Sequence, residues 1–128
     1  MNPTFSVRPQ RVAILGATDQ PDRYAYRAFR MLRAEGHEVV PVHPRLEEIE
    51  GVAVVAALGD LEGKIDTLTL YVRPSISESM AGDLVDLAPG RVIFNPGTES
   101  DLLEERLDAA GISWEVACTL VLLQTGQF

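Results

Sequence analysis

The fold is decided by residues 11–24, which read RVAILGATDQPDRY. Five mostly apolar residues that end at a glycine are typical of a central parallel strand covered on both faces. Gly16 permits a sharp backbone turn where that strand ends. We expect Asp19 or Asp22 to cap the following helix, whose free N–H groups then face the space above the strand. A strand that runs into a helix N-terminus in this way predicts an anion site.

The same alternation of strand and helix continues along the chain. Further strands are predicted at residues 38–42, 66–72, 91–94 and 114–117, with a brief edge strand at 51–55. Helices are predicted at residues 23–35, from a capping box at 75–78 to Pro89, and from a Ser100 cap to 110. We expect residues 1–10 to form a lead-in arm or a short helix, and 118–123 to form a short helical or extended tail. This order predicts one Rossmann-like α/β domain, a doubly wound parallel β-sheet with helices on both faces.

The composition narrows the class of protein. The chain has 128 residues, 46% of them apolar and 23% charged, which is typical of a single globular domain. We expect no membrane span and no signal peptide, since no apolar run is long enough and the N-terminus lacks the pattern. One cysteine excludes an internal disulfide and suits a reducing cytoplasm. The net charge of −8 argues against nucleic acid or an anionic membrane as the main partner.

Candidate ligand-binding residues follow the predicted strands. In doubly wound sheets, ligands bind over the carboxyl ends of the strands. The residues at these places are Gly16, Ala17, Thr18, Asp19, Gln20, Pro21, Arg23, Tyr24, His43, Pro44, Arg45, Val72, Arg73, Asn95, Pro96 and Gly97. Three arginines in this set, on an acidic protein, predict an anionic ligand with more than one phosphate.

The dinucleotide-binding fingerprint and the residues after the second strand indicate which nucleotide ligands this site fits. A G-x-G-x-x-G template placed on Gly16 meets Thr18 and Pro21 at its other two glycine positions, so the motif is weak. An NAD site needs an acidic residue after the second strand, where this chain has His43 and Arg45. A cation at that place fits a ribose that carries a phosphate. NADP, with its 2′-phosphate, and coenzyme A (CoA), with its 3′-phosphate, both qualify.

No catalytic or metal-binding pattern accompanies these residues. His43 has no serine or cysteine nearby in sequence to complete a triad, and two histidines with one cysteine show no metal-ligand spacing. Cys118 has two interpretations: an inert packing residue, or a thiol that forms a mixed disulfide with CoA. We therefore expect binding without catalysis and without a metal.

Five motifs, in order, carry a resemblance to a known family. They are GATDQPDRY at 16–24, PVHPR at 41–45, LYVRP at 70–74, FNPGTE at 94–99 and ACT at 117–119. Over residues 8–128 the chain resembles the small stand-alone CoA-binding proteins, which are similar to the N-terminal CoA-binding domain of the succinyl-CoA synthetase α subunit. The phosphorylated histidine of the synthetase belongs to a second domain, outside this resemblance.

The resemblance implies a Rossmann-type domain that binds CoA or an acyl-CoA. Residues 18–21 match the loop that wraps the phosphates, and 94–96 match the loop near the pantetheine. Arg45 matches the basic residue, usually lysine, after the second strand. The alternatives that stay open are an NADP-binding oxidoreductase or redox-sensing domain, and a homo-oligomer or a subunit that docks on a larger CoA ligase.

Overall fold

A computed structural model describes residues 8–128 of the chain. The strands are β1 Arg11–Leu15, β2 Glu38–Val42, β3 Glu48–Ile49, β4 Val52–Ala53, β5 Thr67–Leu70, β6 Arg91–Phe94 and β7 Ser113–Val116. The helices are α1 Tyr24–Ala34, α2 Pro74–Ser79, α3 Ala81–Leu87, α4 Asp101–Ala109 and α5 Thr119–Gln124, with a 3₁₀ turn at Leu58–Asp60. The predicted arm lies outside the described residues up to position 7, and residues 8–10 have no regular secondary structure.

Five of the strands form one parallel sheet in the order β2-β1-β5-β6-β7. The register aligns the last residues of the strands in one row: Val42, Leu15, Leu70, Phe94 and Val116. We call this row the carboxyl edge. All loops that follow these strands therefore leave the sheet on the same side, which is where ligands bind in such folds.

Both faces of the sheet are covered by helices. Alternate residues of β1 point to opposite faces: Val12 and Ile14 join a core with α1 and α5. Ala13 and Leu15 join the other core, with α3 and α4. The predicted doubly wound, Rossmann-like fold is confirmed. Among the described helices, none has both the length and the apolar character to cross a membrane.

Helix α1 lies within the predicted range of 23–35 and buries one side. Its buried residues are Ala25, Ala28, Phe29 and Leu32, while Arg27, Arg30 and Arg33 are exposed. The apolar stripe packs the helix on the sheet, and the opposite side stays in solvent. The helix ends before Gly36, which has the left-handed φ of +91° that glycine adopts without strain.

The predicted edge strand at 51–55 is only partly correct. Val52–Ala53 pair with Glu48–Ile49 as a small antiparallel hairpin, separate from the main sheet. Glu50 and Gly51 make its turn at φ of 49° and 84°, the handedness that favours tight two-residue hairpins. Val55 alone reaches the main sheet, through an isolated parallel bridge to Val42.

The predicted capping box at Ser75–Glu78 is wrong. Pro74 takes the first position of α2 instead, because its fixed φ suits that place and its missing N–H costs nothing there. Ser77 donates to the carbonyl oxygen of Pro74, and Glu78 accepts from the Ser100 hydroxyl at 2.6 Å. The single predicted helix is also broken at Met80, which separates α2 from α3. The Ser100 cap is confirmed, since its Oγ accepts from the N–H of Leu103 at 3.1 Å.

Candidate functional site

A cavity of about 960 Å³ opens at the carboxyl edge. Twelve of the sixteen candidate residues line it: Gly16, Ala17, Thr18, Gln20, Arg23, Tyr24, His43, Pro44, Val72, Arg73, Pro96 and Gly97. The other four, Asp19, Pro21, Arg45 and Asn95, do not. The structure therefore brings together residues from four separate loops, as expected for a parallel sheet.

Gly16 directly follows β1 and lies against Tyr71 and Val72, the residues that follow β5. Its φ is +91°, and a Cβ atom there would lie 2.8 Å from Val72 Cγ1 and 2.9 Å from the Tyr71 carbonyl oxygen. Because real Cβ atoms do not come so near, only glycine fits without a shift of the backbone. The turn after β1 can then pass directly over the end of β5.

The N-terminus of α1 faces the cavity without a side-chain cap. The prediction that Asp19 or Asp22 caps this helix is wrong: the N-cap residue is Arg23, which makes no capping hydrogen bond, and the first turn holds no acidic residue. Helix N–H groups without a partner, together with the helix dipole, favour an anion at this place.

Arg23 and the loop before it are held together locally. The Arg23 Nε donates to the Gln20 side-chain oxygen at 3.3 Å, and the Gln20 N–H donates to Thr18 Oγ1 at 3.2 Å. Within residues 8–128, Arg23 makes no ion pair. A cation at a helix N-terminus opposes the helix dipole unless an anion lies between them.

Tyr24 stands at the rim of the cavity with 66% of its surface exposed. The guanidinium of Arg27 lies 5.5 Å from the centre of its ring. Tyr24 therefore offers an exposed aromatic surface beside the helix N-terminus.

On the β2 side, His43 organises the loop. Its Nδ1 accepts the N–H groups of Arg45 and Leu46, each at 3.0 Å. An Nδ1 that accepts leaves the proton of a neutral imidazole on Nε2. Arg45 is exposed, lies next to the cavity residue Pro44, and takes part in no ion pair of the described chain.

On the β5 side, Val72 and Arg73 line the cavity. Arg73 is exposed and precedes α2, and it does not pair with Glu78, whose carboxylate bonds to Ser100. Arg23 and Arg73 are the two cations of the lining, and Asp22 and Asp83 are its two carboxylates.

Asn95 has an internal role. It is 2% exposed, and its amide nitrogen donates to Thr69 Oγ1 at 2.7 Å and to the Leu70 carbonyl at 2.8 Å. Its side-chain oxygen accepts from the N–H of Thr119 at 2.9 Å. Asn95 thus ties the ends of β5 and β6 to the start of α5, while Pro96 and Gly97 reach the cavity.

Tyr71 and Cys118 lie on the α1–α5 side of the same edge. Burial raises the pKa of Tyr71 to about 12, so its phenol is neutral at physiological pH. Its hydroxyl is buried with no hydrogen-bond partner among the described residues. Cys118 is a partly exposed free thiol outside the cavity lining. No group of three metal-ligating side chains occurs in the part of the chain that the structure describes.

The sequence interpretation missed one wall of the cavity. Ala56, Ala57 and Leu58 line it, although they follow the small hairpin rather than a strand of the main sheet. Ile76 and Met80 are half-buried and line it as well, together with Asp83. The helical spacing of 76, 80 and 83 was visible in the sequence, but not what that side of the helix faces.

Comparison with known proteins identifies the family. The model of the CoA binding domain matches residues 10–124. The chain belongs to this CoA-binding domain family. The resemblance stated from the five motifs is confirmed.

Two relatives have sequences similar to parts of this chain. The uncharacterized protein YneT of Bacillus subtilis is 33% identical over 75 residues, which cover 59% of this chain and 53% of that protein. The α subunit of the ADP-forming acetate–CoA ligase II of Pyrococcus furiosus is 31% identical over 69 residues, covering 53% of this chain and 15% of that subunit. The matched region thus spans about half of the first relative and a small part of the second.

Several solved structures share the fold of this chain over most of its length. An uncharacterized protein of 42% identity has a TM-score of 0.88 and covers 95% of this chain and 100% of its own. A Thermus thermophilus protein of 32% identity has a TM-score of 0.86, covering 94% of this chain and 91% of that one. The acetyl-coenzyme A synthetase 1 of Ca. Korarchaeum cryptofilum, at 19% identity and a TM-score of 0.71, shares the fold over 83% of this chain and 25% of its own.

Proposed function

We propose that this protein binds CoA or an acyl-CoA in the cavity at the carboxyl edge and does not itself catalyse a reaction. The proposal rests on the N-terminus of α1, which has no side-chain cap, has Arg23 beside it and faces the cavity. The chain around this cavity belongs to the CoA-binding domain family. The cavity volume of about 960 Å³ lies near the upper end of the usual range for ligand sites, about 300–1,000 Å³, which suits a ligand as long as CoA.

Each charged part of CoA has a matching group in this proposal. The pyrophosphate lies on the free N–H groups of α1 and the loop of residues 17–21, where the helix dipole and Arg23 both favour it. The 3′-phosphate lies at the end of β2, where Arg45 is exposed and makes no ion pair within residues 8–128. The guanidinium fork suits a phosphate at such a position. The pantetheine arm passes Pro96 and Gly97, which line the cavity beside β6.

The absence of catalysis is proposed from the chemistry of the lining. His43, its one histidine, uses Nδ1 to hold its own loop. The phenol of Tyr71, with its pKa near 12, is a poor proton donor at neutral pH. Incubation with acetyl-CoA tests this part of the proposal: we expect no release of free CoA above the rate without protein, and turnover would contradict it.

Titration calorimetry at fixed salt tests the binding itself, with CoA, dephospho-CoA and NADP as ligands. We expect CoA to bind, and dephospho-CoA to bind at least about tenfold more weakly because it lacks the charge-assisted contact. Arg45→Ala removes that difference, so that both ligands bind it alike, whereas Arg106→Ala, an exposed arginine of α4 outside the cavity lining, leaves the difference intact. Binding of NADP but not of CoA would overturn the proposal.

A further inference from the structure

Helix α1 presents a row of positive charge on the side that faces solvent. Arg27, Arg30 and Arg33 are exposed, follow one another at intervals of three residues, and lie opposite the buried side of the helix. We call these three residues the basic stripe. The helix itself, Tyr24–Ala34, contains no acidic residue. Arg30 pairs with Glu50 at 3.6 Å, but the other two guanidinium groups have no carboxylate partner among the described residues.

Aromatic side chains of α1 hold the basic stripe in place. The guanidinium of Arg27 lies over the ring of Tyr24, and that of Arg33 lies over the ring of Phe29, each 5.5 Å from the ring centre. A guanidinium that lies over a ring keeps the N–H groups in its own plane free to donate outwards. The stripe therefore needs little ordering of its side chains to bind a row of carboxylates.

Helix α4 presents the opposite charge on the other face of the sheet. Its buried residues, Leu103 and Leu107, belong to the core that α1 does not join. Its solvent side carries an acidic stripe of four carboxylates, Asp101, Glu104, Glu105 and Asp108. None of the four makes an ion pair in the part of the chain that the structure describes. Desolvation, and then the carboxylates of Asp101 and Asp108, raise the pKa of Glu104, so these like charges crowd one another.

The two stripes match in length as well as in sign. At a rise of 1.5 Å per residue, Arg27 and Arg33 lie about 9 Å apart along α1, and Asp101 and Asp108 lie about 10.5 Å apart along α4. An antiparallel alignment brings Arg33, in the last turn of α1, to Asp101, in the first turn of α4. The ends of the two helix dipoles then attract each other as well. The net charge of −8 opposes association, but beyond about 10 Å it is largely screened at 0.1 M salt.

We propose that α1 of one molecule binds α4 of a second copy of this chain, with the basic stripe against the acidic stripe. Both stripes lie outside the lining of the cavity, so this contact is separate from the proposed CoA site. Because α1 and α4 lie on opposite faces of the sheet, a partner cannot return the same contact to the first molecule. The contact therefore repeats from molecule to molecule and builds head-to-tail chains instead of two-fold dimers.

Sedimentation equilibrium of the full chain tests this contact over a range of protein concentrations. The two conditions are ionic strengths of about 0.01 M and about 1 M, at which the screening length is about 30 Å and about 3 Å. At the lower ionic strength, we expect the weight-average mass to rise past that of a dimer without a plateau. At the higher ionic strength, we expect the mass of the monomer, because the pairing is between exposed charges.

Charge reversal identifies the two surfaces. Arg27→Glu with Arg33→Glu reverses the basic stripe, and Glu104→Lys with Glu105→Lys reverses part of the acidic stripe. Each double variant alone should self-associate at least about tenfold more weakly, because like charges then meet. An equimolar mixture of the two should associate again, since the reversed α1 then meets the reversed α4. Both variants keep a negative net charge, so general attraction does not explain such a recovery.

Glu47→Lys with Glu48→Lys is the matched control, because it changes the net charge as much as the α4 variant but lies at the small hairpin. This control should associate no more weakly than the wild type, and circular dichroism shows whether every variant is folded. A wild type that stays monomeric at low ionic strength overturns the assignment, and is the result expected if α1 binds an acidic surface of a different protein. A plateau at the mass of a dimer, or a mixture of reversed variants that stays monomeric, overturns it as well.

Discussion

Gly16→Ala is the substitution whose effect follows most directly from the structure. Two separate penalties apply. The left-handed φ of +91° costs an alanine about 1–2 kcal/mol. The new Cβ would also lie 2.8 Å from Val72 Cγ1 and 2.9 Å from the Tyr71 carbonyl oxygen, and overpacking of this kind costs about 1–3 kcal/mol. We expect a loss of about 2–5 kcal/mol in the free energy of unfolding.

Gly36→Ala provides a matched control for this substitution. Gly36 has the same φ of +91°, but a Cβ there meets nothing within 4 Å. This variant therefore carries the backbone penalty alone, about 1–2 kcal/mol. The difference between the two variants measures the clash between residue 16 and the segment that follows β5.

Urea unfolding followed by circular dichroism gives both free energies, and calorimetry with CoA gives the effect on the cavity. Because the carbonyl of Tyr71 cannot rotate away, we expect the turn after β1 to shift in Gly16→Ala, which weakens CoA binding. Gly36→Ala retains wild-type affinity. Equal losses of stability in the two variants would show that the close approach at Gly16 has no energetic weight, and would refute the reasoning.

Three further predictions concern buried polar side chains. Asn95→Ala leaves three internal partners without their bonds, and urea unfolding should show a loss of about 2–4 kcal/mol. Tyr71→Phe removes a buried hydroxyl with no hydrogen-bond partner among the described residues, so we expect the thermal midpoint of unfolding to stay level or rise. In an absorbance titration, this variant should lack the tyrosine whose pKa burial raises to about 12. Burial lowers the pKa of His37, so the unfolded chain binds the extra proton, and wild-type stability falls as the pH drops below about 6.5. His37→Asn keeps an acceptor for the Gln10 N–H and should lose this part of the pH dependence in unfolding curves from pH 8 to 5; an unaltered slope would contradict the assignment.

The sequence predicted what depends on local pattern. The strand before Gly16, the helix at 23–35 and the Ser100 cap each arise from residues close together in the chain, and all three agree with the structure. The placement of loops at the carboxyl edge also followed, because a parallel sheet sends every strand end to the same side.

The errors arose where a distant contact overrides a local preference. Ser75 has the side chain of a cap, but Pro74 before it takes the first helical position and Glu78 bonds to Ser100, 22 residues away. Asn95 stays a predicted ligand residue, but its side-chain amide also bonds to β5 and α5, which its position in the sequence does not indicate. The cavity wall formed by Ala56, Ala57 and Leu58 has no recognisable sequence motif, because small apolar residues in a loop line a cavity only through what lies opposite them.

Asn95 has a consequence for how a ligand enters. Its three bonds hold the loop ends from inside the protein, so the shape of the carboxyl edge comes from the sheet and not from an occupant. We therefore expect the proposed ligand to lose little binding energy to the ordering of the walls and to associate in a single step, without a slow rearrangement. The side chains at the rim of the cavity make none of these three bonds. Substitutions among them can therefore change which ligand fits without changing the sheet beneath.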